Sequence, residues 1–465
     1  VSTVEVSDRD FALTVPVLVI GAGAAGLVAA LSAHEAGAEV LVLERDSLPR
    51  GSTALSAGLV PAAGTRWQRE AGIEDAPAGF AADIMAKAHD EPDPALIATV
   101  TGAVGPALEW LGEAHGLPFS VVDNFRYPGH SAYRMHGLPS RSGEELIDRL
   151  RQAAEAAGID MICDAHVTTL VAAPDGRVRG VVAGRPDGTA EEIGCETLIL
   201  ACNGYGGNRA LVARHIPELA DALYFGHPGN QGDALLWGEA LGATVRDLSG
   251  HQGHGSVAHP AGILLTWATV MEGGFQVNAS GERFSNEATG YSEQAARVLE
   301  QQDGVAWTIF DARIADIAGQ FEDYRNAVAA GAVVEGDTVA ALAEAAHLPP
   351  DALERTAAAV DAAKRGERAD TFGRAFAGVA PLAAPFRAVR VTGALFHTQG
   401  GLVVDGDAHV TRADGTLLPN LYAAGGAACG VSGRSAAGYL SGNGLLTAVA
   451  LGRLAGLAAA RQARA

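Results

Sequence analysis

Cysteine is scarce in this chain: Cys163, Cys195, Cys202 and Cys429 are the only four in 465 residues, and no two stand at a CxxC or CxxCH spacing. That spacing is what a cysteine-ligated iron–sulfur cluster, a structural zinc or an attached haem needs, so electrons handled by this chain must travel through a flavin or a dissociable cofactor. Positive charge is also in short supply. Lys and Arg number 33 against 54 Asp and Glu, giving a formal net charge of -21 and a pI near 5.0. Such a field repels phosphate backbones and anionic lipid heads, which argues against nucleic acid or an electrostatic membrane anchor as partner. No stretch reaches the roughly 18 uninterrupted apolar residues of a spanning helix. The opening VSTVEVSDRDF lacks the basic start and apolar middle of a secretion signal. These absences lead to the expectation of a cytoplasmic protein without an integral membrane segment. Apolar material, by contrast, is ample. With 48% hydrophobic and 19% charged residues the composition is that of a globular protein, and the length suggests two or three domains, two being the economical reading.

The first organised feature is a short β run, Pro16–Ile20, followed by Gly21-Ala-Gly-Ala-Ala-Gly26, a helical stretch through Glu35, and a second β run, Glu39–Leu43, ending at Glu44. Strand, glycine turn, helix, strand and terminal acid in that order make a dinucleotide fingerprint. The glycines permit a tight turn and let backbone amides approach a pyrophosphate, which the helix N-terminus favours electrostatically. Glu44, eighteen residues beyond Gly26, is placed to bind ribose hydroxyls.

Further along, an amphipathic helix (Glu144 to Ala157) leads into β runs around Val167–Leu170 and Val178–Val182, and a third strand, Thr197–Ala201, meets Cys202-Asn-Gly-Tyr-Gly-Gly207. This reads as the sheet that closes a nucleotide domain. From about Gly250 to Phe372 the chain changes character: it predicts helices at Val339–Ala346 and Asp351–Ala363 and holds no second fingerprint. Then come Gly393 to Asp405, a turn-rich Asp407 to Pro419, the strand Asn420–Ala424, and a final helix from Leu445 through Ala460. The expected organisation is a nucleotide domain in two pieces, 1–250 and 373–465, interrupted by an inserted domain at 251–372.

The ordered motifs resemble the fumarate reductase and 3-ketosteroid dehydrogenase flavoprotein superfamily over most of the chain. They are Gly51-Ser-Thr-Ala-Leu-Ser-Ala-Gly58, Ile199-Leu-Ala-Cys-Asn-Gly-Tyr-Gly-Gly-Asn208, the stretch Gly232 to Ala243, His397-Thr-Gln-Gly-Gly-Leu402 and Asn420-Leu-Tyr-Ala-Ala-Gly-Gly426. The resemblance implies an α/β protein: a Rossmann-like FAD-binding domain interrupted by an α+β capping domain. It also implies noncovalent FAD, since the Gly51–Gly58 region has no histidine of the kind that covalent members use. The implied FAD contacts are Gly21, Gly23, Ala24, Ala25, Gly26, Glu44 and Arg45; Ser52, Thr53, Ser56, Ala57 and Gly58; Val167; Ala201, Cys202, Asn203, Gly204 and Asn208; Asp233; Gly400 and Gly401; Ala424, Gly425 and Gly426; and Gly442, Asn443, Gly444 and Leu445. The family's final Glu after Ala-Ala-Gly is replaced by Gly426, which removes one ribityl contact seen in some members.

In the inserted stretch, Val277-Asn-Ala-Ser-Gly-Glu-Arg-Phe-Ser-Asn-Glu287 is similar to a motif that fumarate reductases continue with T-T-R-D; here Tyr291 stands at the arginine's place. Near the C-terminus those reductases have N-R-L-G-G-N-A, and aligning its arginine four residues before the asparagine lands on Tyr439. Two carboxylate-clamping arginines are thus tyrosines, and the Tyr439-x-Ser441 pattern resembles the Δ4-type 3-ketosteroid dehydrogenases. That resemblance implies desaturation of a ketone at its α,β carbons, with Tyr439 as base, Ser441 as its hydrogen-bond partner and Tyr291 as relay or carbonyl partner. His254 and His397 fall where fumarate reductases have substrate histidines, which keeps a carboxylate-directed ene-reductase or dehydrogenase in play. On the residues alone, the tyrosines also read as packing residues, Ser441 as a helix cap, the histidines as pocket walls, and Arg283, Asn286 and Glu287 as a structural ion-pair cluster. Arg434 is the spare cation that an acidic substrate would need. The expected partners are a small-molecule substrate and an electron acceptor, with a quinone, a carrier protein and oxygen all open.

Overall fold

In the computed structural model, which describes residues 2–376 and 378–464, the chain divides into two units. Val1–His215, Gly226–His251 and His397–Ala465 form the first, and Ile216–Phe225 with Gln252–Phe396 the second.

The first unit is built on a mainly parallel sheet. Asp160–Ile162, Val40–Leu43, Thr14–Ile20 and Ala190–Leu200 lie side by side, and Leu417–Ala423 joins Ala190–Leu200. Their inner residues, such as Val17, Leu18, Val19, Val42 and Leu198, are wholly buried, which is why these strands read as continuous apolar runs and not as alternating ones. Register then fixes where the chain emerges. Leu200 pairs with Ile20 and with Ala423, and Ile20 pairs with Leu43. Four strands therefore end level, and Gly21, Glu44, Ala201 and Ala424 leave the sheet side by side at its carboxyl edge, where open α/β sheets bind ligands. The antiparallel ribbon His166–Ala172 and Val178–Gly184 extends the sheet from the first half of Ala190–Leu200.

Helix Ala24–Glu35 is covered by the last helix, Asn443–Ala463. Their close approach depends on missing side chains: a Cβ on Gly452 would lie 2.6 Å from the Ala25 carbonyl oxygen, and one on Gly456 2.2 Å from that of Ala29. Arg453 meanwhile stacks 3.8 Å over Trp110 of helix Pro94–His115. By length and composition, Pro94–His115 and Asn443–Ala463 are apolar enough to cross a membrane, yet both are more than half buried within the protein. They escape a search for uninterrupted apolar runs because Glu109, Glu113, Arg453 and Arg461 break them up.

The second unit centres on Phe386–Thr398. This strand pairs antiparallel with Val305–Asp311 and Val333–Gly336 and parallel with Leu223–Tyr224, and the sheet continues to His251–Ala258. Helices Val339–Ala345 and Pro350–Lys364 lie within one residue of their sequence-based bounds. The division of the chain differs from the sequence-based one. Residues 373–396 belong to the inserted unit and not to the nucleotide domain, because the strand that ends this stretch is the middle of the insert's own sheet. Residues 216–225 join it as well, through their edge strand.

Candidate active site

At the carboxyl edge of the first unit's sheet the fingerprint loop is held by contacts that exclude side chains. Gly21 has φ +101°, and a Cβ there would sit 2.6 Å from the Ala201 carbonyl oxygen; a Cβ on Gly26 would sit 1.8 Å from the Gly21 oxygen. Gly425 brings the end of Leu417–Ala423 against Ala25, and Gly426 lies against Asn203. Gly204 in turn would drive a Cβ into the Thr398 hydroxyl at 2.1 Å. Glu44 is buried, and its carboxylate accepts from Ala22 N–H at 2.8 Å and Asp46 N–H at 3.0 Å. Burial raises its pKa above the ordinary carboxylate value, with the two amides pulling the other way. Each of its oxygens keeps a second lone pair for a hydroxyl donor. The Thr53 hydroxyl accepts from Ala24 N–H at 3.0 Å, at the N-terminus of the fingerprint helix.

Other sequence-predicted cofactor residues stand further from that loop's packing. Ser56 hydrogen-bonds within its own turn, Ala57 is exposed, and Gly58 packs on the Ser142 carbonyl. Ser52 accepts from Asn230 Nδ2 at 2.8 Å. Arg45 reaches the Gly229 carbonyl and His166, and lies 3.9 Å from Asp233. Asn208 caps a helix by accepting from Leu211 N–H. Val167 is a buried strand residue, and Gly400 and Gly401 press on the backbone at Asp247 and Ala427–Ala428. Burial pushes the Cys202 thiol up to about 12, so it stays protonated.

Tyr439, Ser441 and His397 gather in the first unit ahead of the final helix. Tyr439 and Ser441 are each 7% exposed. The Tyr439 ring meets that of His397 edge-on at 5.4 Å. His130, from a stretch whose place the sequence did not reveal, sets Nε2 3.0 Å from the Ser441 carbonyl oxygen. Gly442, φ +89°, turns the chain into helix Asn443–Ala463 without a side-chain cap; Gly444 and Leu445 form its first turn. Behind His397 runs a buried polar chain that sequence reasoning missed: Gln399 Nε2 lies 3.0 Å from His397 Nδ1, Ser432 Oγ donates to Gln399 Oε1 at 2.7 Å, and Asn443 Nδ2 donates to Ser432 Oγ at 2.9 Å. Asn443 Oδ1 is buried without a hydrogen-bond partner. Such an orphaned acceptor at the end of a glycine-lined cradle fits a cofactor that brings N–H or O–H donors.

Tyr291 and His254 come together in the second unit. Gly253 and Gly255 flank His254, and their missing Cβ atoms, which would fall 2.7 Å from Ala295 and Gln294, let helix Tyr291–Leu299 lie against the strand. Gly253 N–H donates to Ser292 Oγ at 2.9 Å. The Tyr291 ring stacks on His254 at 5.0 Å, and His254 on Phe396 at 5.4 Å, with Trp267 edge-on at 5.6 Å. His254 Nδ1 accepts from Ser256 N–H at 3.1 Å, so a neutral ring carries its proton on Nε2. Burial lowers its pKa to about 3.

Two buried guanidiniums of that unit are already paired. Arg283 bonds both oxygens of buried Glu287, at 2.9 and 2.8 Å, and also Asp370; Arg374 reaches Glu287 at 3.1 Å. Asn286 accepts from Ala288 N–H. This is a structural ionic cluster. Arg434 in the first unit has a side chain 71% exposed, 3.8 Å from Asp247. Among the described residues, no group of three or more His, Cys, Asp or Glu is arranged to hold a metal.

A sequence model of the family described as an FAD binding domain matches residues 16–445. The chain belongs to this FAD-binding family. The flavoprotein is 31% identical over 454 residues to a probable fumarate reductase of Shewanella frigidimarina, covering 97% of this chain and 75% of that one. It is 27% identical over 553 residues to the 4-oxocyclohexanecarboxylate 2-dehydrogenase of Sinomonas cyclohexanicum, covering 97% and 93%. Its fold matches the 3-ketosteroid-Δ4-(5α)-dehydrogenase of Rhodococcus jostii RHA1, solved with 4-androstene-3,17-dione, with TM-score 0.77, 25% identity and coverage of 99% and 100%. The flavoprotein is thus an FAD-dependent oxidoreductase of the fumarate reductase family with ketosteroid dehydrogenases among its structural neighbours.

Proposed function

We propose that this flavoprotein is a dehydrogenase that introduces a carbon–carbon double bond next to the carbonyl of a cyclic ketone. The observation that carries the reading is chemical: Tyr291 lies in an uncharged aromatic stack with His254, Trp267 and Phe396, while Arg283 and Arg374 are committed to Glu287 and Asp370. A flat apolar ketone suits such a surface better than a dicarboxylate, which needs a guanidinium not already paired. The ketone dehydrogenases among the chain's similar proteins support the same substrate class.

Bound FAD supplies a two-electron acceptor for the hydride lost from the β carbon. Gly21, Gly23, Gly26, Glu44, Thr53, Gly425, Gly426 and Asn443 are the residues assigned to hold it. Tyr439 is assigned the α-proton, taken at its phenolic oxygen. With an ordinary pKa of about 10, tyrosine is a weak base near neutrality. The dipole of the 21-residue helix that follows it offsets part of that cost. Ser441 is assigned as its hydrogen-bond partner, and Tyr291 as relay or carbonyl partner.

A carboxylate-directed ene-reductase is the second reading, favoured by the retained His254 and His397 and by the fumarate reductase relative. Anaerobic mixing of the yellow protein with saturated 3-ketosteroids and cyclic ketones, set against succinate and tricarballylate, separates the two. The expected result is bleaching of the flavin by a ketone alone, slowed at least 100-fold in Tyr439→Phe. Bleaching by an acid alone overturns the proposal. If both tyrosines serve one step, Tyr291→Phe combined with Tyr439→Phe costs little more than the worse single change.

A further inference from the structure

The polar chain behind His397 has a direction, and that direction decides what the histidine can offer. Gln399, Ser432 and Asn443 are 5%, 1% and 0% exposed, so their hydrogen bonds are made with one another and not with solvent. Each link is a choice between donating and accepting, and fixing one link fixes the rest. If Asn443 Nδ2 donates to Ser432, the serine proton goes to Gln399 Oε1, Gln399 turns Nε2–H toward His397, and Nδ1 becomes an acceptor. Reversing the order would put a proton on Nδ1. The reversal would also bury Asn443 Nδ2, with its two protons, in the place now held by Oδ1.

We propose that Gln399, backed by Ser432 and Asn443, is a positioning residue that holds His397 as the neutral Nε2–H tautomer, so that the site receives a hydrogen-bond donor and not a second base. The Thr398 carbonyl, 3.5 Å from Nδ1, competes for the opposite arrangement, but the Gln399 amide is closer at 3.0 Å. The Nε2 edge is accommodated by Gly444, where a Cβ would lie 3.1 Å from Nε2 and Cε1. Burial draws the His397 pKa down to about 4, opposed by the Thr398 carbonyl, and nearby His251 lowers it further. His254 reaches the same state by another route, since the Ser256 amide can only donate. The role as substrate donor rests on the proposed function above; the tautomer does not.

The test is long-range proton–nitrogen correlation NMR of the FAD-loaded protein with labelled histidine, the His397 signals being those lost in His397→Asn. The expected pattern is Nε2–H in the native protein and a neutral ring down to about pH 5. Gln399→Glu presents an acceptor to Nδ1, so it is expected to move the proton there and raise the ring's proton affinity by about tenfold or more. An Nδ1–H ring in the native protein overturns the proposal, as does an Nε2–H ring that Gln399→Glu leaves unaltered. Should Gln399→Glu fail to take up FAD, Ser432→Ala decides: the Nε2–H share is expected to fall, and an unchanged share overturns the assignment. These signals are read whichever substrate bleaches the flavin, so failure here is distinct from failure of the ketone reading.

Discussion

Glu44 and Asn443, both assigned to hold FAD, each present buried acceptor oxygens. The Glu44 carboxylate spends one lone pair on each of two backbone amides, which leaves two for hydroxyl donors. In Glu44→Gln one acceptor becomes an amide donor facing Ala22 or Asp46. The expected outcome is FAD binding weakened by about tenfold or more, from a loss on the order of 1–3 kcal/mol, read by fluorescence titration of the deflavinated variant; unchanged affinity would remove Glu44 from the cofactor's contacts. At this scale much of the site was legible. The glycine spacing, the terminal acid and the tyrosines at arginine positions are local patterns that a one-dimensional reading can find. Partners far apart in the chain were not: Ser432 finds Gln399, Arg283 finds Asp370, and His130 finds Ser441, each pairing set by tertiary packing and not by spacing.

Among the elements, strands and helices with continuous apolar or helical periodicity fell close to their expected bounds. The final helix begins at Asn443, two residues before its expected start, and the fingerprint helix ends at Glu35 as expected. Phe386–Thr398 was the failure of assignment. A strand's own residues do not say which sheet it will join, and this one became the middle of the insert's sheet although residues 373–465 were expected in the nucleotide domain. The pairing of the first and last long helices gives this scale its prediction. Gly456→Val places a branched side chain where a Cβ alone would be 2.2 Å from the Ala29 oxygen. Overpacking of this kind costs about 1–3 kcal/mol, expected as a lower thermal midpoint with weaker FAD retention; a midpoint equal to that of the native protein would mean the two helices separate freely.

For the molecule as a whole, acid sensitivity follows from buried neutral histidines. Burial lowers the pKa of His130, His136 and His397 to about 4 and of His254 to about 3. Unfolding returns each ring to about 6.5, so between these values the unfolded chain binds more protons and folding weakens as pH falls. Glu44 and Asp323, both raised by burial, act in the opposite sense. The expected result is a denaturation midpoint that drops between pH 7 and pH 5, by on the order of 1–2 kcal/mol per histidine at pH 5; a level midpoint over that range would refute the burial of these rings as neutral groups. The level ending of the four parallel strands has a consequence in time as well as in space. The fingerprint is made early, but Leu417–Ala423 and the helix that covers Ala24–Glu35 follow some four hundred residues later. At about 5–20 residues per second, the nascent chain waits on the order of half a minute between its first strands and the strand and helix that complete their sheet and cover them, and FAD uptake is expected only once those late elements are made.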